Sequence, residues 1–345
     1  MPVSVRNRLF KRHSTLPLLG LVLVCIYLWA FFGGRPANRL VCEMFIQMTL
    51  VIGMSIFIGN SGVMSFGHVG FMAAGAYLSA WLTMPPVMKG MMTPWLPESI
   101  AGLELPFAVA APLSGIAAAL IALLTGAALM RLSGIAAAIG TFAFLLIVNI
   151  LISNADGLTG GTSSLAGIPV NVGAVTALLV TFGAVVIAHV YRNSSAGLAL
   201  QGSRDDDVAA QASGVDIFRH RLFAYVLSAF VCGVAGSVYA QYTGVISAAA
   251  FYTETTFLAL AMLICGGMFS LSGAVVGVLV ITIVRQGLIS LEKGYQISGS
   301  LWHLPPGTEA VLIGVAMIVI LIRRPSGLTG NKELSLSLPG SGPKR

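Results

Sequence analysis

Three consecutive carboxylates, Asp205, Asp206 and Asp207, follow Arg204 inside the one long hydrophilic interval of an otherwise apolar chain, residues 192–221. Acids gathered in this way have two ordinary uses. They can be a solvated charge run. They can also open a helix, where the positive end of the helix dipole favours negative charge. The run Val208 to Ser213 that follows is built of small, helix-compatible residues, and Gly214 sits where a helix terminator belongs. A short rigid helix kept slim at Ala209, Ala210 and Gly214, and held between two apolar stretches, has the shape of a docking element. The residues alone leave both readings open.

No other constellation carries chemistry. His68, Glu43, Asn149, Glu254 and Glu309 lie in or near apolar runs, where an ionised group is costly. Each could line a polar path. Glu43, Glu254 and Glu309 fall near expected helix ends, which favours an interfacial role. His68 has no second His or carboxylate at helical spacing, so a structural hydrogen bond is expected rather than a metal ligand. The four cysteines, Cys25, Cys42, Cys232 and Cys265, form no C-x-x-C pair and read as small packing residues. No nucleophile elbow, H-E-x-x-H, Rossmann glycine pattern or G-x-x-x-x-G-K-[ST] occurs. Catalysis, ATP hydrolysis, a cofactor and a metal are therefore not expected of this chain.

The elements that position these residues follow from composition. Hydrophobic residues make up 57% and charged residues 9% of the 345 residues, with mean hydropathy +0.91. Soluble domains carry about 25% charged residues. The expected class is an all-α polytopic membrane protein. Divided into spans of roughly 20 residues, the chain gives about ten transmembrane helices. They are expected near 16–32, 41–59, 66–82, 106–130, 134–153, 171–190, 221–243, 254–268, 272–290 and 308–323. The first resembles a signal peptide but is long and lacks an A-x-A cleavage site, so it reads as uncleaved. With both termini cytoplasmic, fourteen basic residues lie on the cytoplasmic side. Only Arg35, Arg39, Lys89 and Lys293 lie on the other, as the positive-inside rule requires. Arg285, within a span near its outer end, could snorkel. The net charge of +7 thus needs no nucleic-acid partner. The expected organisation is a cytoplasmic segment 1–15, a membrane domain 16–323 and a cytoplasmic tail 324–345. The tail is rich in Ser, Gly and Pro and is expected to be disordered.

Two connections interrupt smooth helices. The segment GNSGVMSFGHVGFMAAGAY places Ser65, Gly67, His68, Gly70 and Gly75 in a glycine-crowded stretch, a candidate broken element. CGGMFSLSGAVVGVLV echoes it, with Gly267-x-x-Ser270 against Gly62-x-x-Ser65, and Gly273 and Gly277 following. Chance and a true repeat of two halves account for the echo equally well. Residues 83–105, with four prolines and Trp95, read as an outer loop with an interfacial aromatic. NADGLTGGTSSLAGIP reads as a second outer loop, rich in turn residues.

Several segments together resemble the branched-chain amino-acid type ABC-importer permeases, closest to the LivM-like branch. GVMSFGHVGFMAAGAYLSAWL resembles the family's G-x-x-S-x-G-H-x-x-F-x-x-x-G-A-Y signature, and RLSGIAAAIGTFAF its R-x-x-G-x-x-x-A-I-x-T-x-A-F. GLTGGTSSLAGIP is similar to its periplasmic loop. The run from Gly197 to Ala240 is similar to its ATPase-coupling loop and following helix, and RRPSGLTG to its C-terminal signature. The likeness covers nearly the whole chain in the family's order.

The resemblance implies a multi-pass permease subunit of a bacterial inner-membrane importer. It would work with a homologous second permease, two cytoplasmic ATPase subunits and a periplasmic solute-binding protein. Arg204, Asp205, Asp206, Asp207, Ala209, Ala210 and Gly214 would then couple to the ATPase. Ser65, Gly67, His68, Gly70 and Gly75 would form the pathway or structural motif. Thr159, Gly160 and Gly161 would face the binding protein, although an ordinary turn fits them equally. The sequence departs from the pattern in two places. No acid stands near Ser163 and Ser164, and small residues occupy Ile135-Ala136-Ala137-Ala138. Both bear on the solute. Branched-chain amino acids are the first choice; urea, short amides and small organic or aromatic acids remain open. The competing class is an ion-coupled secondary transporter, which needs an acid at mid-depth that this chain does not offer convincingly.

Overall fold

The computed structural model describes residues 3–292, 295–297, 300–302, 305, 307–324, 326–330 and 333. Lys293, Lys332 and the tail from 334 onward lie outside these, as does the side chain of Glu309. The described residues are overwhelmingly helical. Lipid offers backbone groups no hydrogen bonds, so apolar segments satisfy their own as helices.

In chain order the helices are α1 (Val3–Phe32), α2 (Gly34–Ser61), α3 (His68–Thr83), α4 (Pro86–Met92), α5 (Glu98–Ala101), α6 (Phe107–Leu129) and α7 (Gly134–Asn154). Next come α8 (Asp156–Thr159), α9 (Ala174–Asn193), α10 (Ser195–Asp205), α11 (Asp207–Ala212), α12 (Ile217–Thr243), α13 (Thr253–Gly266), α14 (Leu271–Glu292) and α15 (Thr308–Arg323). Strand β1 (Leu165–Ala166) pairs antiparallel with β2 (Val245–Ile246), Leu165 opposite Ile246, and β3 (Tyr295–Ile297) with β4 (Ser300–Trp302).

Among the described residues, eight helical segments are long and apolar enough to cross a membrane. Helices α3 and α15, read as spans from the sequence, have 16 residues each. At 1.5 Å per residue they fall short of a hydrocarbon core of about 30 Å. The expected segment 1–15 is continuous with α1, which runs from Val3.

Helices α2 and α12 form the centre. From Thr49 to Ser61 every residue of α2 is buried. Helix α12 packs on α2, α3 and α6 through small residues. A Cβ added at Gly75 would overlap the Gly233 backbone, and one at Gly236 would lie 2.8 Å from the Ala76 nitrogen. Close helix approach of this kind is how bundles gain packing energy in lipid. Buried hydroxyls add cross-links: Ser228 donates to the Gly53 carbonyl (2.7 Å), and Ser237 to Ser79 (2.7 Å). Helices α13 and α14 meet the same way, Gly277 against the Gly266 backbone.

The stretch 83–105 is partly helical, because α4 and α5 fold within it. Lys89, 1% exposed, donates to the carbonyls of Ile100 (3.1 Å) and Leu103. Burial pushes its ammonium pKa down, while nearby Glu104 pulls it up.

Candidate functional site

The hydrophilic interval folds as two short helices with a cap at every junction. Ser194 accepts from the Gly197 amide (3.2 Å) and starts α10. Asp206 accepts from the amides of Val208 (2.9 Å) and Ala209 (3.0 Å) and starts α11. Gly214, at φ +83°, ends α11 in the left-handed region that favours glycine. Asp216 then caps α12 through the Arg219 amide (3.1 Å). The three acids thus differ: Asp205 closes α10, Asp206 caps α11, and Asp207 opens α11 while meeting Arg221 at 3.4 Å.

The inner side of this helix pair is fastened to the membrane bundle. Arg204 Nη1 donates to the Gly59 carbonyl of α2 (2.9 Å), and its guanidinium lies 4.6 Å above the Phe269 ring. Gln201 Nε2 reaches Asn60 Oδ1 (2.9 Å). Arg192 donates to the Phe269 carbonyl (2.6 Å) and pairs with Glu333 (3.1 Å). The outer side is bare. Asp205, Asp206, Asp207, Ala209 and Gly214 are exposed, and Val208 is 78% exposed. Ala210, expected on that slim outer surface, is buried instead and accepts from the Val215 amide (3.1 Å).

Both anchor points are helix breaks. Helix α2 ends at Gly62 (φ +70°), Ser65 is buried, and α3 starts at His68. Helix α13 ends at Gly267 (φ +124°), Ser270 is buried, and α14 starts at Leu271. Both echo segments are helix breaks, but their backbones differ: Gly62 has ψ −1° and Gly267 ψ +98°. The two breaks touch, since a Cβ on Gly59 would lie 2.7 Å from the Met268 carbonyl oxygen. Arg204 bridges them: its Cγ is the atom a Cβ on Gly62 would meet at 2.6 Å, while its charge sits on Phe269.

The first break also engages α7. The Phe66 amide donates to Thr141 Oγ1 (3.2 Å), and Gly67 and Gly70 leave room for Phe144. Gly75 belongs to the α3–α12 contact described above. His68 is fully buried among the rings of Phe57, Phe71 and Tyr225, at centroid distances of 5.8, 6.2 and 5.6 Å. The structural hydrogen bond expected of it runs to the Ser65 backbone, in poor geometry. Aromatic packing holds the rest of the ring. No group of three or more His, Cys, Asp or Glu able to hold a metal occurs among the described residues.

Thr159, Gly160 and Gly161 form the turn at the end of α8, with Gly160 half-buried. Thr159 is buried, donates to the Ile152 carbonyl (2.6 Å) and accepts from the Gly161 amide (3.2 Å). Gly160 and Gly161 turn the chain at φ +77° and +59°. The exposed residues there are Thr162, Ser163 and Ser164.

The C-terminal segment departs most from expectation. Leu328 and Thr329 donate backbone bonds to the carbonyls of Cys265 (2.8 Å) and Gly266 (3.1 Å). The Glu333 carboxylate accepts from the amides of Leu271 (2.8 Å) and Ser272 (3.0 Å). The described part of the supposedly disordered tail is thus a clamp over the second break. Glu333 was not singled out in the sequence. The signal available was the helix start at Leu271, which needed an acceptor.

A family model described as "Branched-chain amino acid transport system / permease component" matches residues 37–321. The chain is 26% identical over 361 residues to the high-affinity branched-chain amino acid transport system permease protein LivM of Salmonella typhimurium, covering 94% of this chain and 75% of that one. It is 25% identical to the LivM protein of Escherichia coli over 359 residues, covering 94% and 77%. A probable branched-chain amino acid transport permease protein LivH of Methanocaldococcus jannaschii is 30% identical over 139 residues, covering 39% of this chain and 40% of that one. No solved structure matches. With its bundle, its two glycine breaks and a match over most of its length, the chain belongs to the family of permease components of branched-chain amino acid transport systems.

Proposed function

We propose that this protein is one of two homologous permeases in an ATP-driven importer of branched-chain amino acids, set in a bacterial inner membrane. Ten crossings, with α3 and α15 as the short ones, put both termini and the α10–α11 pair in the cytoplasm. The unequal distribution of basic residues supports that orientation. Of the two ATPase subunits, one grips the exposed face from Asp205 to Gly214, Ala210 packing beneath it. A periplasmic binding protein meets the loop shaped by Thr159, Gly160 and Gly161. This chain supplies the path and no chemistry. The solute follows from the relatives' names and is refined below.

One observation carries this reading: the α10–α11 pair is bare outside and fastened inside to both helix breaks through Arg204. Force on such an element reaches both halves of the bundle at once.

The test is co-purification from membranes of wild type and Gly214→Trp, scoring bound ATPase. Wild type is expected to retain ATPase subunits. The variant, still folded by gel filtration, is expected to lose them. Wild-type protein that brings down no ATPase in mild detergent would count against the importer and favour an ion-coupled carrier.

A further inference from the structure

Remote from the coupling helices, a cavity of about 350 Å³ lies between α2, α12, α13 and α14. That is the size of small-ligand sites. Polar residues of α12 and α13 line it (Tyr239, Tyr242, Thr243, Glu254 and Thr255), and two further helices each contribute a polar face. Glu43 and Gln47 are one turn apart on α2, and Thr282, Arg285 and Gln286 are one turn apart on α14. Glu254, at the start of α13, is the second carboxylate. Leu258 and Met262 follow it at four-residue steps and make an apolar strip.

Two atoms in this wall are buried and lack hydrogen-bond partners among the described residues: Gln47 Oε1 and Thr282 Oγ1. Thr282 is 9% exposed. Other helical threonines are matched locally. Thr49, Thr125 and Thr181 all donate to the carbonyl four residues back, which is the cheap solution for a hydroxyl in an apolar helix. Thr282 forgoes that bond and lines the cavity instead. Leaving buried polar atoms unmatched is costly unless something else satisfies them.

We propose that this cavity is a selective station for a zwitterionic solute with an apolar side chain, so that the permease itself reads the solute's charge. The ammonium faces Glu43 and Glu254, the carboxylate faces Arg285, and Gln47 and Thr282 complete the polar shell. The side chain lies on Leu258 and Met262. The inference rests on the importer reading and adds selectivity to a path that need only have been passive. The charge pattern decides between solutes. A neutral urea gains little from three fixed charges. An organic anion meets two carboxylates for one guanidinium. An entity carrying both signs offsets its desolvation at both ends.

The test uses the complete transporter with its ATPases in lipid nanodiscs. A reporter thiol is placed at the cavity by Ile289→Cys, in a chain whose four native cysteines are replaced by alanine. Its labelling rate with a charged methanethiosulfonate is read with L-leucine, 4-methylpentanoate, 3-methylbutylamine or urea present. L-leucine is expected to slow labelling, and the other three are not. Arg285→Gln, and the near-isosteric Thr282→Val, are expected to raise the leucine concentration needed by about tenfold. Equal protection by 4-methylpentanoate, no protection by leucine, or unchanged leucine protection in both variants overturns the proposal. The labelling needs no ATP. Absence of ATP-driven uptake in vesicles of the same preparation would therefore remove the importer reading alone, and the thiol result would still decide the station.

Discussion

At the scale of single residues, Arg204 does the most that is specific. A lysine there would keep the charge but lose the planar fork that bonds Gly59 while stacking on Phe269. A cation–π contact of this kind contributes about 1 kcal/mol, more when desolvated, and one to two kcal/mol is roughly a five- to thirtyfold factor in an equilibrium. Arg204→Lys is expected to lower solute uptake per ATP hydrolysed by about that factor while the ATPases stay bound. Uptake and phosphate release measured together in proteoliposomes check it; an unchanged ratio would show that Arg204 carries no force. Residue by residue, local chemistry was legible and facing was not. The caps at Asp206 and Gly214 follow from short-range backbone needs, which the sequence displays. Ala210 is expected on an outer surface, and Thr159 either toward a partner or in an ordinary turn; both are buried, and no local pattern announces that.

At the scale of elements, the bundle depends on where helices are thin. Gly236 faces the Met72 carbonyl and the Ala76 amide of α3, so any side chain forces α3 and α12 apart. Gly183 on α9 has nothing within 4 Å of its missing Cβ. Overpacking costs about 1–3 kcal/mol, whereas alanine for glycine in an open helical position gains up to about 1 kcal/mol. Gly236→Val is therefore expected to lower the thermal midpoint in detergent and the monodisperse yield, and Gly183→Ala to leave both equal or higher. Equal loss in both would mean that glycine serves helix flexibility rather than close approach. The helices themselves were readable because an apolar run in lipid has essentially one backbone solution. Their ends were read to within a few residues at α3, α7 and α13. The α4, α5 and α8 turns and the β1–β2 pair were missed. Each is too short for periodicity to register, and β1–β2 joins segments about eighty residues apart.

At the scale of the whole molecule, the C-terminal segment closes over the α13–α14 break. Composition made the C-terminal segment look like a solvated tail, because Ser, Gly and Pro say nothing of a partner. What orders it lies elsewhere: the α13–α14 break leaves carbonyls at Cys265 and Gly266 and amides at Leu271 and Ser272 unmatched by helix bonds. Leu328, Thr329 and Glu333 satisfy them. Glu333 also holds Arg192, the last basic residue before α10, so one carboxylate joins the C-terminal segment, the break and the hydrophilic interval. Its geometry at α14 is that of an N-terminal cap with a full negative charge, contributing about 0.5–2 kcal/mol. Glu333→Gln keeps an acceptor but loses the charge, and Glu333→Ala loses both. The two are expected to lower the thermal midpoint in that order. Alanine should also speed hydrogen exchange at Leu271 and Ser272 without affecting amides of the distant α4 segment. If both variants leave exchange at α14 as in wild type, the clamp does not hold the break, and Arg204, Gln201 and the Arg192–Phe269 bond would have to tie the α10–α11 pair to the bundle.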